Sequence, residues 1–114
     1  MNISEYQSLA MRTAKELPLH TALLHVATGL AGEVGELCDS IKKSEVYDRQ
    51  HDMNNYKEEL GDILWFVAYA SNVFGFSLET IARENIEKLA TRYPEGFSDY
   101  HAAARLDKEG DDGC

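Results

Sequence analysis

Cysteine is scarce in this chain. Cys38 lies inside an apolar periodic run and Cys114 is the last residue, so no disulfide framework is expected. No Cys-x-x-Cys and no Cys/His cluster offers a zinc site. Two prolines and eight glycines in 114 residues exclude collagen-like or low-complexity character. No apolar run approaches the ~20 residues that span a bilayer. The opening residues, Met1 to Glu5, carry neither a basic region nor an apolar stretch, so no signal peptide is expected and the expected compartment is the cytoplasm. Strand-like alternation and internal repeats are also missing. Basic residues are few, 11 Lys and Arg against 20 Asp and Glu, for a formal charge of -9. That balance repels a phosphate backbone and an anionic membrane, which excludes nucleic-acid polymers and membranes as expected partners. A small polyphosphate remains compatible where a divalent cation bridges the two negative partners.

Hydrophobic residues at 44% and charged residues at 27% describe one ordinary globular domain. Its expected extent is residues 1–106, with a flexible acidic tail over 107–114. Helical signals divide the domain into four segments. The first runs from an N-cap at Ser4 to Leu17, before Pro18. The second runs from Thr21 to Lys43, where Leu23, Ala27, Leu30, Val34, Leu37 and Ile41 follow the 4-3-4-3-4 spacing of a packed seam. A polar connection leads to a third helix starting near Asn55, with Glu58 as a capping-box partner, and ending at Gly75. The fourth starts at Ser77 and ends before Pro94, and a short helix over residues 98–105 can follow. The fold class is therefore all-α, a four-helix bundle. The third helix is apolar nearly all round: Leu60, Ile63, Leu64, Val67, Ala70 and Phe74 form one stripe, and Trp65, Phe66, Tyr69 and Val73 another. Such a helix is buried on every side, which predicts a homo-oligomer with this helix at the interface; the alternative is a central helix covered by the other three and the C-terminal segment.

Four carboxylates carry the chemistry. Glu33 and Glu36 lie on the second helix, Glu59 and Asp62 on the third, each pair spaced i, i+3 on one face. Like charges so placed repel, and burial at the edge of an apolar face raises that cost unless something compensates. A hard divalent cation resolves the conflict, and a donor set without histidine or cysteine selects Mg²⁺, with Mn²⁺ as substitute. Gly29 leaves room for a ligand beside Glu33 and Glu36, whereas Gly35 fits close helix packing. Cys38, with no basic neighbour in sequence, reads as a small core residue. On the fourth helix Asn85, Lys88 and Arg92 form a polar stripe beside the apolar face Leu78, Ala82, Ile86, Leu89 and Tyr93. Its two cations suit phosphate oxygens, although pairing of Lys88 with Glu84 and capping by Arg92 would explain them equally.

Three ordered blocks resemble the MazG-like family of all-α nucleoside triphosphate pyrophosphohydrolases in its short single-domain form. They are Gly29-Leu30-Ala31-Gly32-Glu33-Val34-Gly35-Glu36-Leu37 with Ile41-Lys42-Lys43, then Glu58-Glu59-Leu60-Gly61-Asp62-Ile63-Leu64-Trp65, then Asn85 through Phe97. The resemblance implies cleavage of (d)NTPs between the α and β phosphates, giving (d)NMP and pyrophosphate. It implies Mg²⁺ held by Glu33, Glu36, Glu59 and Asp62, and a homodimer or homotetramer. It places Lys88, Arg92 and Tyr93 on the phosphate side and Asn85 at a substrate or metal-shell contact. A metal-activated water would attack, with Glu36, and next to it Glu33, as the catalytic carboxylate. His25, two turns before Glu33, is a candidate for base recognition, with a surface or packing role as its alternative; Trp65 and Phe66 could stack on a base, but a core or interface place suits Trp65 better.

Two other classes compete with this reading. A di-iron carboxylate bundle also gathers acids from facing helices, but it requires Glu-x-x-His where this chain has Glu36 and Asp62. A non-catalytic helical oligomerisation or interaction module would keep the bundle and tolerate loss of the acids.

Overall fold

A computed structural model of the chain describes residues 1–108, and every regular element among them is helical. The elements are α1 (Ile3–Met11), α2 (Leu19–Val46), α3 (Met53–Phe74), α4 (Leu78–Arg92) and α5 (Asp99–Ala104), then a 3-10 turn at Leu106–Lys108. The described residues form two compact units, Met1–Leu78 and a second beginning at Glu79. Of the acidic segment expected to be flexible, residues 109–114, including Cys114, lie outside the described residues.

Local chemistry sets the helix ends, in places not where the sequence suggested. Asn2, rather than Ser4, caps α1: its side chain accepts the Glu5 amide at 2.8 Å while the Glu5 carboxylate accepts the Asn2 amide at 3.3 Å. The helix stops at Met11, well short of Leu17, because Arg12, Thr13 and Ala14 turn to i→i−3 bonds and the Thr13 hydroxyl donates to the Ala10 carbonyl at 2.7 Å. Asp52, rather than Asn55, caps α3 by accepting the Asn55 amide at 3.0 Å. Gly75 ends α3 in the left-handed conformation at φ 78°, and the Phe76 amide returns to the Ser71 carbonyl at 2.7 Å. Gln7 of α1 then grips the turn after α3 by donating to the Phe76 carbonyl at 3.1 Å and accepting the Leu78 amide at 2.8 Å.

α2 and α3 pair as an antiparallel hairpin in one register. Ala22, Val26, Tyr69 and Val73 share a cluster. Gly29 lies against the Phe66 ring, and Asn55 bonds Ser40. The facing rows are therefore Ala22–Val73, Val26–Tyr69, Gly29–Phe66, Glu33–Asp62, Glu36–Glu59 and Ser40–Asn55. Both helices repeat at 4-3-4-3-4, the spacing that keeps one stripe against a partner helix. The stripe on α2 is displaced by one residue from the expected seam. Leu23, Val34 and Ile41 of that expected seam are exposed, Val34 at 43%.

The displacement has a geometric consequence. One residue is about 100° of helix rotation, and in an antiparallel pair a step forward on both helices turns both stripes to the same side. Leu23, Val34 and Ile41 thus share a face with Leu60, Leu64 and Phe74, and all six are exposed, Leu60 at 56% and Phe74 at 51%. A step backward turns to the opposite side, where α1 packs: Trp65 donates to the Ala10 carbonyl and the Thr13 hydroxyl at 3.2 and 2.9 Å, and Ala10, Ala68 and Leu78 are buried together. So within the first unit α3 is covered by α2 and α1, and Leu60, Leu64 and Phe74 on its third side are exposed among the described residues.

The second unit is described by itself. Ser98 caps α5 by accepting the His101 amide at 3.0 Å. The Tyr93 and Phe97 rings lie 5.6 Å apart. Ile86, expected on the buried face of α4, is exposed.

Candidate metal centre

The hairpin register places the four carboxylates in the seam itself rather than on its margin. Carboxylate oxygens of Glu33, Glu59 and Asp62 lie within 4.8 Å of one another. Glu36 is outside this close group and exposed, yet its charge acts on both Glu33 and Glu59. One oxygen each of Glu33 and Glu59, both Oε2, is buried without a hydrogen-bond partner. Burial pushes the Glu59 carboxyl up to about 7, with the Glu36 charge and a hydrogen bond to Glu33 acting in the same direction. The Glu33 carboxyl is raised by burial, then by the charges of Glu36 and Asp62. Orphaned buried acceptors, proton retention and an all-oxygen donor set are what a hard divalent cation would satisfy. The residues present fit such an ion.

The surroundings of the acids differ from one glycine to the next. Gly29 leaves no room for a ligand, because a Cβ there would collide with the Phe66 ring. Gly35 does not serve close packing: at Gly32, Gly35 and Gly61 a Cβ would meet nothing within 4 Å. Each of these three immediately precedes Glu33, Glu36 or Asp62, so by the register they line the α1 side of the hairpin beside the acids. α1 reaches this neighbourhood too. The Tyr6 phenol is pushed up by burial and then by the Asp62 charge, a link that no spacing within the second and third helices could reveal. Cys38 is exposed rather than a core residue.

Past the Gly29–Phe66 row lies an aromatic cluster. The His25 ring meets Phe66 edge-on at 5.2 Å and Tyr69 at 5.0 Å, and Trp65 stacks on Tyr69 at 5.2 Å with the planes 9° apart. His25 Nδ1 is buried with no partner. The three aromatics and His25 therefore form one cluster adjoining the acidic rows.

The polar stripe of α4 belongs to the second unit. Asn85 and Lys88 are exposed, and Lys88 forms no ion pair among the described residues, so the alternative pairing with Glu84 is not made. Arg92 is engaged: its Nε and Nη2 donate to the two Asp107 oxygens at 2.7 and 3.1 Å. The Asp107 side chain is 3% exposed, and the Arg92 side chain 18%. Tyr93 is half-buried beside Phe97.

The family model described as the MazG nucleotide pyrophosphohydrolase domain matches residues 21–97. The Gene 37 protein of Mycobacterium phage L5 is 30% identical over 105 residues, covering 84% of this chain and 92% of that protein. No solved structure gives a significant match.

Proposed function

We propose, from the premise that the chain belongs to the MazG nucleotide pyrophosphohydrolase domain family, that it hydrolyses (d)NTPs to (d)NMP and pyrophosphate in the cytoplasm. The observation that carries this reading is the convergence of Glu33, Glu59 and Asp62 with two partnerless buried oxygens. Glu33, Glu59 and Asp62 would hold Mg²⁺, and Glu36 would complete the set or keep its carboxylate free beside it. The bound ion would neutralise triphosphate charge and acidify a nearby water.

The chain's own residues supply the remainder. Glu36, the exposed member of the glutamate trio, would accept the proton of the water that attacks the α phosphorus. The bond from the α phosphorus to the bridging oxygen breaks as pyrophosphate leaves, and Lys88 offsets the charge that develops there. Asn85, Arg92 and Tyr93 complete the substrate set, with Arg92 exchanging its Asp107 contact for phosphate oxygens. His25, Trp65 and Phe66 adjoin the acids and suit a nucleobase.

The open apolar face of Leu23, Val34, Ile41, Leu60, Leu64 and Phe74 supports a second copy of this chain as its cover, as a homodimer or within a homotetramer.

The test is pyrophosphate release from a panel of NTPs and dNTPs with Mg²⁺, beside Glu36→Gln. Expected are release from some members, abolition by EDTA, and a loss of at least about a hundredfold in the variant. Orthophosphate in place of pyrophosphate would move the cleaved bond. No turnover by the folded protein would favour the helical interaction module.

A further inference from the structure

The seam that carries the carboxylates does not end at them. One turn further toward the connection between α2 and α3, the row Ser40–Asn55 is joined by a hydrogen bond from Asn55 Nδ2 to Ser40 Oγ at 3.0 Å. Beside it the Tyr56 hydroxyl lies 3.2 Å from Ser44 Oγ and 2.6 Å from His51 Nδ1. His51 Nε2 lies 2.7 Å from Glu45 Oε1. With Nε2 protonated, His51 donates to Glu45 and accepts the Tyr56 proton, and the single Ser44 hydroxyl proton is shared among the phenol oxygen and the Ser40 and Gln50 carbonyls. Ser44 Oγ also lies 3.3 Å from the Gln50 carbonyl of the connection. Residues of the last turns of α2, the connection and the first turn of α3 thus form one network, with Tyr56 as its hub.

This end of the hairpin needs such a device. The two rows next to it carry four carboxylates, whose mutual repulsion opposes the close approach of the helices when they are ionised and no cation is bound. At the other end the helices are held by Phe66 against Gly29 and by the Tyr69 cluster. At the connection end the hydrogen bonds of Asn55 and Tyr56 join the helices. Ser40 lies four residues after Glu36 and Asn55 four before Glu59, so the bridge sits directly behind the acids on the same faces.

We propose that Asn55 and Tyr56 are positioning residues of the carboxylate site: by tying α3 to Ser40 and Ser44 of α2 they set the span across which the acids converge. The inference rests on the metal-binding reading above. Groups that orient metal ligands govern affinity without touching the ion, and here the orientation is transmitted through a single helical turn on each side.

The test measures Mn²⁺ binding by the full chain, from the electron paramagnetic resonance signal of the free ion, beside melting in EDTA. Asn55→Ala and Tyr56→Phe are expected to bind Mn²⁺ about tenfold more weakly. Their melting temperatures in EDTA should stay level or rise, because the network holds like charges together. Ser40→Ala with Asn55→Ala should be no weaker than either alone, as expected of one shared bond. Unchanged Mn²⁺ affinity in both single variants, with the parent binding normally, would overturn this inference alone. A loss of affinity matched by a fall in the EDTA melting temperature would also overturn it, by making the network a general staple. No Mn²⁺ binding by the parent would remove the metal reading and this inference together.

Discussion

At one end of the α2/α3 hairpin the rows Ala22–Val73, Val26–Tyr69 and Gly29–Phe66 close into packed contact. At the other end Glu33–Asp62 and Glu36–Glu59 occupy the same heptad positions with charge. The 4-3-4 repeat along each helix is the same in both halves. Only the side chains differ, and they give the two ends different roles. The aromatic end stabilises the fold, while the acidic end costs stability until a cation or protons compensate. A helical seam is thus a place to put a site as well as a core, and its packed half holds its charged half in register.

The comparison breaks most visibly at Tyr69. This side chain is 4% exposed and contacts His25, Trp65 and Phe66. Tyr69→Ala should cost about 3 kcal/mol in urea unfolding at fixed protein concentration, through lost burial and a residual cavity. Glu36→Gln, in the other half of the same seam, should leave the fold intact while removing activity. Equal destabilisation by both would mean that the acids are structural.

The acidic half also has a pH signature of its own. Glu59 keeps its proton up to about pH 7 in the folded chain, against an ordinary value of 4.5. The folded state therefore binds more protons than the unfolded one across that window. The contribution to stability is full below about pH 4.5 and is lost as pH rises through 7. Glu33, raised by burial and its neighbours, adds in the same direction. Asp39 and Asp107, lowered by their bonds to Lys43 and Arg92, act at more acidic pH with the opposite sign. In EDTA the melting temperature should fall between about pH 5 and 8, and Glu59→Gln should flatten that slope. Saturating Mn²⁺ should reverse the slope, since ligation must displace the retained proton.

Much of this was legible in the sequence, and the misreading of the seam has an identifiable cause. The helices, the two acidic pairs and the three motif blocks follow from spacing and residue type. Which stripe of α2 faces α3 does not, because two stripes one residue apart, Leu23-Leu30-Val34-Ile41 and Ala22-Val26-Gly29-Glu33, repeat at the same period. The more apolar one is the natural choice for the seam, yet its Leu23, Val34 and Ile41 are exposed while Leu30 packs at the edge of the core. Phe66 explains why: its ring requires Gly29 opposite, and that pairing fixes the register of the acids. The Asn55–Ser40 bridge was readable only by extending the heptad one step past Glu36 and Glu59. The Arg92–Asp107 pair joins a helix end to a later turn, and no periodicity signals such a contact.

Glycine supplies the finest comparison between the two halves. Replacing a mid-helix glycine by alanine gains about 1 kcal/mol of helix propensity. At Gly61, where a Cβ meets nothing within 4 Å, that gain should appear nearly whole, as stabilisation of about 0.5–1 kcal/mol. At Gly29 the same methyl group would strike a Phe66 ring already packed by His25, Trp65 and Tyr69. Overpacking of this kind costs about 1–3 kcal/mol, so Gly29→Ala should be destabilising overall, and Phe66→Leu in the same chain should restore the balance. Urea unfolding of the three variants decides the point. Gly61→Ala carries a second readout: if the open glycine side is where substrate lies against the acids, KM should rise in a more stable protein. A stabilised variant with unchanged KM would instead leave that side of the hairpin free of substrate.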